Sequence, residues 1–239
     1  MLRVERCEAR PVAFAPLNFQ LSTSPMTKPE IIQRLLDPGI IAIIRADSSA
    51  QLLHVAEALL AGGVTAMEVT MTTPNALAVI SDVTAKFGDR VLMGVGSVLD
   101  AETARLALLA GAEFVVTPVT RTEVIRLCNR YGKPIASGAF TPTECLHAYE
   151  SGADFVKLFP ADQAGPGYIK NILAPLPMLQ IIPTGGVTPE TAGAFLKAGS
   201  VALGAGSALV SREILVARDW KKLTQRAEEF VQAVRAVRR

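Results

Sequence analysis

Lys157 stands inside the apolar run Phe155–Phe159, between Val156 and Leu158. Burying an ammonium is costly unless it is paired or neutral. Desolvation moves a lysine toward the free amine, which is a nucleophile for ketones. The plainer reading is a lysine that reaches solvent along its stem or pairs with a carboxylate. Glu68 interrupts a second apolar run, AMEVT. It is either an ion-pair partner for Lys157 or Arg45, or a proton carrier tuned by burial. Two glycine-rich turns complete the set: PTGG at 183–186 and GAGS at 204–207. Turns of this kind bring backbone N–H groups up to a phosphate, and Thr184 and Ser207 add hydroxyls.

These residues need a scaffold that gathers strand ends. From residue 27 onward, short β-branched or apolar runs alternate with longer Ala/Leu-rich stretches of helical spacing. The runs are 40–44, 66–70, 91–95, 114–116, 134–137, 155–159, 180–183 and 201–203. The helical stretches are 48–61, 74–87, 101–110, 121–131, 142–151, 167–173, 189–198 and 219–237. Glycine punctuates the steps from helix to strand in AGGV, AGAE, SGAD and KAGS. Eight such units predict a (β/α)8 TIM barrel, a closed eight-stranded parallel sheet. An open dinucleotide-binding sheet is disfavoured, because no GxGxxG follows the first run. In a barrel the site lies at the C-terminal strand ends. Those ends carry Arg45, Glu68 with Thr70, Thr72 and Thr73, then Ser97, Thr117-Pro118 and Ser137-Gly138. Lys157 with Phe159, Thr184–Gly186 and Gly204–Ser207 complete the ring.

Of the 239 residues, half are hydrophobic and 19% charged, with a net charge of +2. That composition excludes a largely disordered chain and gives no pull toward nucleic acid or an anionic membrane. The basic final helix reads as a solvated face. The three cysteines, Cys7, Cys128 and Cys145, read as free thiols of a reducing cytoplasm. With only His54 and His147 beside them, no metal-ligand spacing exists. No apolar run is long enough to span a bilayer. Residues 1–26 lack periodicity and read as a loosely structured tail, with residues 27–239 as a single barrel domain. Translation is expected to start at Met26, just before a helix capped by Thr27.

The runs GGVTAMEVTMTTPNAL, GVGSVLDAETARLALLAGAEFVVTP, GADFVKLFPAD, GPGYIK and PTGGVTPE occur in that order. The chain thereby resembles the 2-keto-3-deoxy-6-phosphogluconate aldolase / 4-hydroxy-2-oxoglutarate aldolase family over about residues 28–237. The resemblance implies a homotrimeric barrel of class I, forming a Schiff base and using neither metal nor other cofactor. It assigns Lys157 as the Schiff-base lysine and Glu68 as the general acid/base. Ser97 falls where the family usually has threonine, which contacts the pyruvyl carboxylate. Pro118 and Phe159 line the pocket. Gly185 and Gly186, with Gly206 and Ser207, match the phosphate grip. Thr72 stands where part of the family has an arginine that holds the substrate carboxylate. Arg45 is expected to supply that contact instead, together with Ser97.

The expected reaction cleaves 2-keto-3-deoxy-6-phosphogluconate to pyruvate and glyceraldehyde 3-phosphate. The alternatives are the same chemistry on the galactonate epimer or on 4-hydroxy-2-oxoglutarate, or a sugar-phosphate isomerase or epimerase. A binding barrel without activity is the non-enzymatic reading.

Overall fold

The computed structural model describes residues 26–45 and 49–238. The expected tail, the expected start and Cys7 lie outside these residues, apart from Met26 itself. The first half runs α1 (Lys28–Leu36), β1 (Ile40–Ile44), α2 (Ser49–Ala61), β2 (Ala66–Thr70), α3 (Ala76–Phe87), β3 (Leu92–Gly96), α4 (Ala101–Leu109) and β4 (Phe114–Val116). The second half runs α5 (Thr122–Arg130), β5 (Ile135–Ala139), α6 (Pro142–Glu150), β6 (Phe155–Leu158), α7 (Ala161–Leu173), β7 (Ile181–Pro183), α8 (Pro189–Lys197), β8 (Leu203–Ala205), α9 (Arg212–Ala217) and α10 (Trp220–Arg238).

The eight strands form one parallel sheet in the order β7-β6-β5-β4-β3-β2-β1-β8. It closes between β7 and β8 through a bridge from Thr184 to Gly204 and the Val201 N–H to Ile181 carbonyl bond of 3.0 Å. The expected (β/α)8 barrel is the observed fold. The alternation of a strand sends every second side chain inward. Ile41, Ala66, Leu92, Phe114, Val116, Ala136, Phe155, Ile182 and Ala202 make the interior core. Ile31 and Leu35 of α1 join that core and plug the N-terminal end of the barrel. The outward set packs against the helices as a second, larger core.

α1 is held in place by polar contacts that its sequence supplies. The Glu30 carboxylate accepts the Thr27 N–H at 2.7 Å and caps the helix start. Lys28 reaches Asp154 at 2.8 Å and Asn129 at 2.7 Å, and Asp154 also accepts the Ile135 N–H. At the other end of the chain, α10 packs across α2 and α8. Trp220 stacks on His54 with ring centroids 5.6 Å apart and so docks α10 on α2.

The four glycines at the helix-to-strand steps, Gly63, Gly111, Gly152 and Gly199, all have positive φ, as the punctuation requires. Most boundaries shift by a residue or two from the sequence expectation, and three differences are larger or of another kind. β8 starts at Leu203 rather than at residue 201, because pairing with β1 selects Leu203–Ala205 despite Gly204. α7 begins at Ala161, with a break at Gly165 (φ 70°, ψ 171°) before Pro166 restarts it. α9 is a helix outside the stretches read from the sequence; Ser211 caps it by accepting the Ile214 N–H, and left-handed Arg218 ends it.

Candidate active site

The inward alternation continues past the interior core toward the C-terminal mouth. It carries Glu68 on β2 and Lys157 on β6 into the barrel, where they are 2% and 7% exposed. Lys157 lies in register with Gly138 on one side and Ile182 on the other. Its Nζ stands 5.2 Å from the centroid of the Phe159 ring. No described carboxylate comes within ion-pair distance of Lys157, so a salt bridge does not account for it.

Glu68 lies in register with Ile43 and Gly94. Its carboxyl occupies the space above Gly96, where a Cβ would come within 1.6 Å of Oε1. That oxygen has no hydrogen-bond partner among the described residues. Burial pushes the Glu68 carboxyl above the ordinary glutamate range, and the positive charges of Lys157 and then Arg45 oppose that rise. The lysine and the carboxyl are therefore electrostatically coupled without being paired. Such a carboxyl can exchange a proton with a neighbouring group, and an unpaired buried amine can attack a carbonyl.

The rim residues fall into two groups. Arg45, Phe159, Thr184, Gly185, Gly186, Gly206 and Ser207 line one cleft of about 590 Å³, a volume suited to a small-molecule ligand. Gly185 and Gly186 take φ of 96° and 68°. A Cβ on Gly186 would meet Asp162 at 2.3 Å, so only glycine lets that turn pass beside α7. Among the described residues, no Asp or Glu lines the cleft. The other group, Thr72, Ser97 and Pro118, follows β2, β3 and β4 and does not line it.

Thr72 is exposed, and its hydroxyl is 2.8 Å from that of buried Thr70. Ser97 has φ of +58°, an unusual conformation for a residue other than glycine and one found often at functional sites. The Pro118 carbonyl crosses above Gly138, where a Cβ would sit 2.3 Å from it. Strand β1 neighbours β8, so Arg45 opens onto the glycine turns, while Ser97 stands at the end of β3.

Sequence reasoning missed two kinds of residue here. Gly96 makes the room that Glu68 occupies, as Gly204 of the GAGS turn does for Thr184; inward glycines at alternating positions were the available signal. Arg212 of α9 also lines the cleft, and nothing in its local sequence marked it. Among the described residues no three His, Cys, Asp or Glu side chains gather to hold a metal ion. No helix there is long and apolar enough to cross a membrane.

The sequence profile of the KDPG and KHG aldolase family matches residues 31–226. The chain belongs to the KDPG and KHG aldolase family. It is thereby an aldolase, a carbon–carbon lyase. It is similar to the 2-dehydro-3-deoxy-6-phosphogalactonate aldolase of Escherichia coli, 34% identical over 82% of this chain and 94% of that protein. The 2-dehydro-3-deoxy-phosphogluconate aldolase of Haemophilus influenzae is 30% identical over 87% of this chain and 99% of its own length. Among solved structures, the KDPG aldolase of Legionella pneumophila was captured with pyruvate as a covalent carbinolamine intermediate. It superposes with a TM-score of 0.77 at 26% identity, over 85% of this chain and 97% of that one. Among the described residues of this KDPG and KHG aldolase, Lys157 and Glu68 are the two buried charged side chains inside the barrel.

Proposed function

We propose that this aldolase cleaves 2-keto-3-deoxy-6-phosphogluconate to pyruvate and glyceraldehyde 3-phosphate through a Schiff base on Lys157. The observation that carries the reading is Lys157, buried and unpaired, with its charge acting on an equally buried Glu68. The amine of Lys157 adds to the carbon 2 ketone and water leaves, giving an iminium. Glu68, directly or through a water, takes the proton from the carbon 4 hydroxyl. The bond between carbons 3 and 4 then breaks, and its electrons pass into the iminium to form an enamine. Glyceraldehyde 3-phosphate departs. Protonation at carbon 3 and hydrolysis release pyruvate and restore the amine.

In this reading the backbone N–H groups at Gly185, Gly186 and Gly206, with the Ser207 hydroxyl, receive the distal phosphate, and Thr184 borders the same end. Ser97 and Thr72 belong to the carboxylate end, and Pro118 and Phe159 wall the reacting carbons. Arg45 serves the anionic groups from β1, where its charge also reaches Glu68. Remote phosphate binding of this kind orients the reacting end. Residues 27–239 act as one barrel domain in this account. A homotrimer in the cytoplasm follows the resemblance, and α4 leaves Leu106 and Leu109 more than half exposed, an apolar face suited to a subunit contact.

The galactonate epimer is the second reading, favoured by the 34% identity to the Escherichia coli enzyme that is named for it. The decisive experiment is sodium borohydride treatment with pyruvate followed by peptide mapping. Covalent pyruvate on Lys157 is expected, lost together with turnover in Lys157→Ala. Trapping that survives in that variant would overturn the mechanism. Coupled assays with both epimeric phosphates then decide the substrate.

A further inference from the structure

We propose that Arg212 is a phosphate-binding residue of the cleft and sets its preference for phosphorylated over unphosphorylated keto acids. This deepens the proposed function and rests on it.

Arg212 is the first residue of α9, outside every motif that the glycine turns define. It lines the same cleft as Gly185, Gly186, Gly206 and Ser207. It is exposed and makes no hydrogen bond or ion pair with any described residue, though its charge acts on its neighbour Glu213. Arg45 lines the cleft as well, and no carboxylate of the described residues does. Two guanidinium-bearing residues lining one cavity favour an anion there. A planar guanidinium also matches phosphate oxygens in a bidentate fashion.

The helix carrying Arg212 is well anchored. Ile214 and Leu215 are buried, and the Gln51 side-chain amide of α2 donates to the Leu215 carbonyl at 2.9 Å. The guanidinium is therefore presented from a fixed base at the phosphate end. It also stands apart from the chemistry: the cations acting on Glu68 are Lys157 and Arg45, and Arg212 is not among them. Its contribution therefore belongs to substrate binding, not to proton transfer.

The test compares the full-length enzyme with Arg212→Ala and Arg212→Lys. Steady-state kinetics use 2-keto-3-deoxy-6-phosphogluconate and unphosphorylated 2-keto-3-deoxygluconate, and inorganic phosphate serves as a competitive inhibitor. For Arg212→Ala, KM for the phosphorylated substrate and the inhibition constant of phosphate should each rise about tenfold, the effect of one charge-assisted contact. The kcat and its pH profile stay put, kcat/KM falls relative to the unphosphorylated substrate, and Arg212→Lys recovers part of the loss. Unchanged phosphate inhibition, or an equal loss on both substrates, would overturn the proposal. Borohydride trapping with pyruvate separates this from the parent reading. Trapping in both wild type and variant without a phosphate contrast defeats Arg212 alone, whereas no trapping in the wild type defeats both.

Discussion

Glu68 combines a raised pKa with an oxygen that lacks a hydrogen-bond partner, and both follow from its place above Gly96. A carboxyl whose folded pKa exceeds its unfolded value holds its proton more tightly when folded. The stability it contributes is complete below the ordinary glutamate pKa and is lost as pH rises through the raised folded value. Glu68→Gln removes that dependence. Its melting temperature should therefore gain on wild type as pH rises from about 4.3, the unfolded reference, through the raised folded value. A temperature difference that stays constant with pH would refute the burial argument. The same variant should lose about 10²–10⁴-fold in kcat while still trapping pyruvate on Lys157, since only proton transfer is removed. Both residues were legible in the sequence because a charge inside an apolar run is conspicuous. Arg212 was not, because an arginine beginning a short surface helix is an ordinary sight until the fold turns it into a cleft. The left-handed Ser97 was hidden for a related reason: its conformation is imposed by the turn out of β3, and serine carries no signature of it.

At the scale of elements, the barrel divides its labour between ends. α1 seals the N-terminal end with Ile31 and Leu35, while the chemistry occupies the other. Ile31 is fully buried against the interior core, so Ile31→Ala leaves a cavity that strands on all sides cannot collapse to fill. The variant should lose about 2–4 kcal/mol of unfolding free energy in urea denaturation. Its kcat and KM at ambient temperature should remain those of the wild type. A large catalytic loss without a stability loss would mean that the two ends are coupled. The helix-then-strand rhythm was readable because each strand is a short apolar run and each return step carries a glycine. What resisted reading was set by pairing. β8 is fixed by its ladder to β1 over Leu203–Ala205, which overrides the weak strand preference of Gly204. α7 starts six residues before its expected start, because Gly165 and Pro166 break it without ending it.

The whole molecule has a seam. β2 and β3 pair over five residues, whereas β7 and β8 meet through a single bridge. The glycine turns that line the cleft leave from those same two strands, so the least hydrogen-bonded part of the sheet also carries the proposed phosphate end of the site. Closure there leans on the chain's last helix. Arg238 of α10 donates to the carbonyls of Leu36 at 2.7 Å and Asp37 at 3.1 Å, and to that of Val201 at 2.8 Å. It thus ties the turn before β1 to the segment entering β8, a structural task for a residue that the basic composition alone would assign to solvent. Charge-assisted bonds of this kind contribute about 1–2 kcal/mol after competition with water. Arg238→Ala should lower the melting temperature by about 2–8 °C for a chain of this size. Hydrogen exchange should quicken at the Leu203 amide, which donates to Gly39 beside the lost contact, and remain slow in β2 and β3. Uniform acceleration across all eight strands would show instead that the barrel opens as one unit, with no seam to hold.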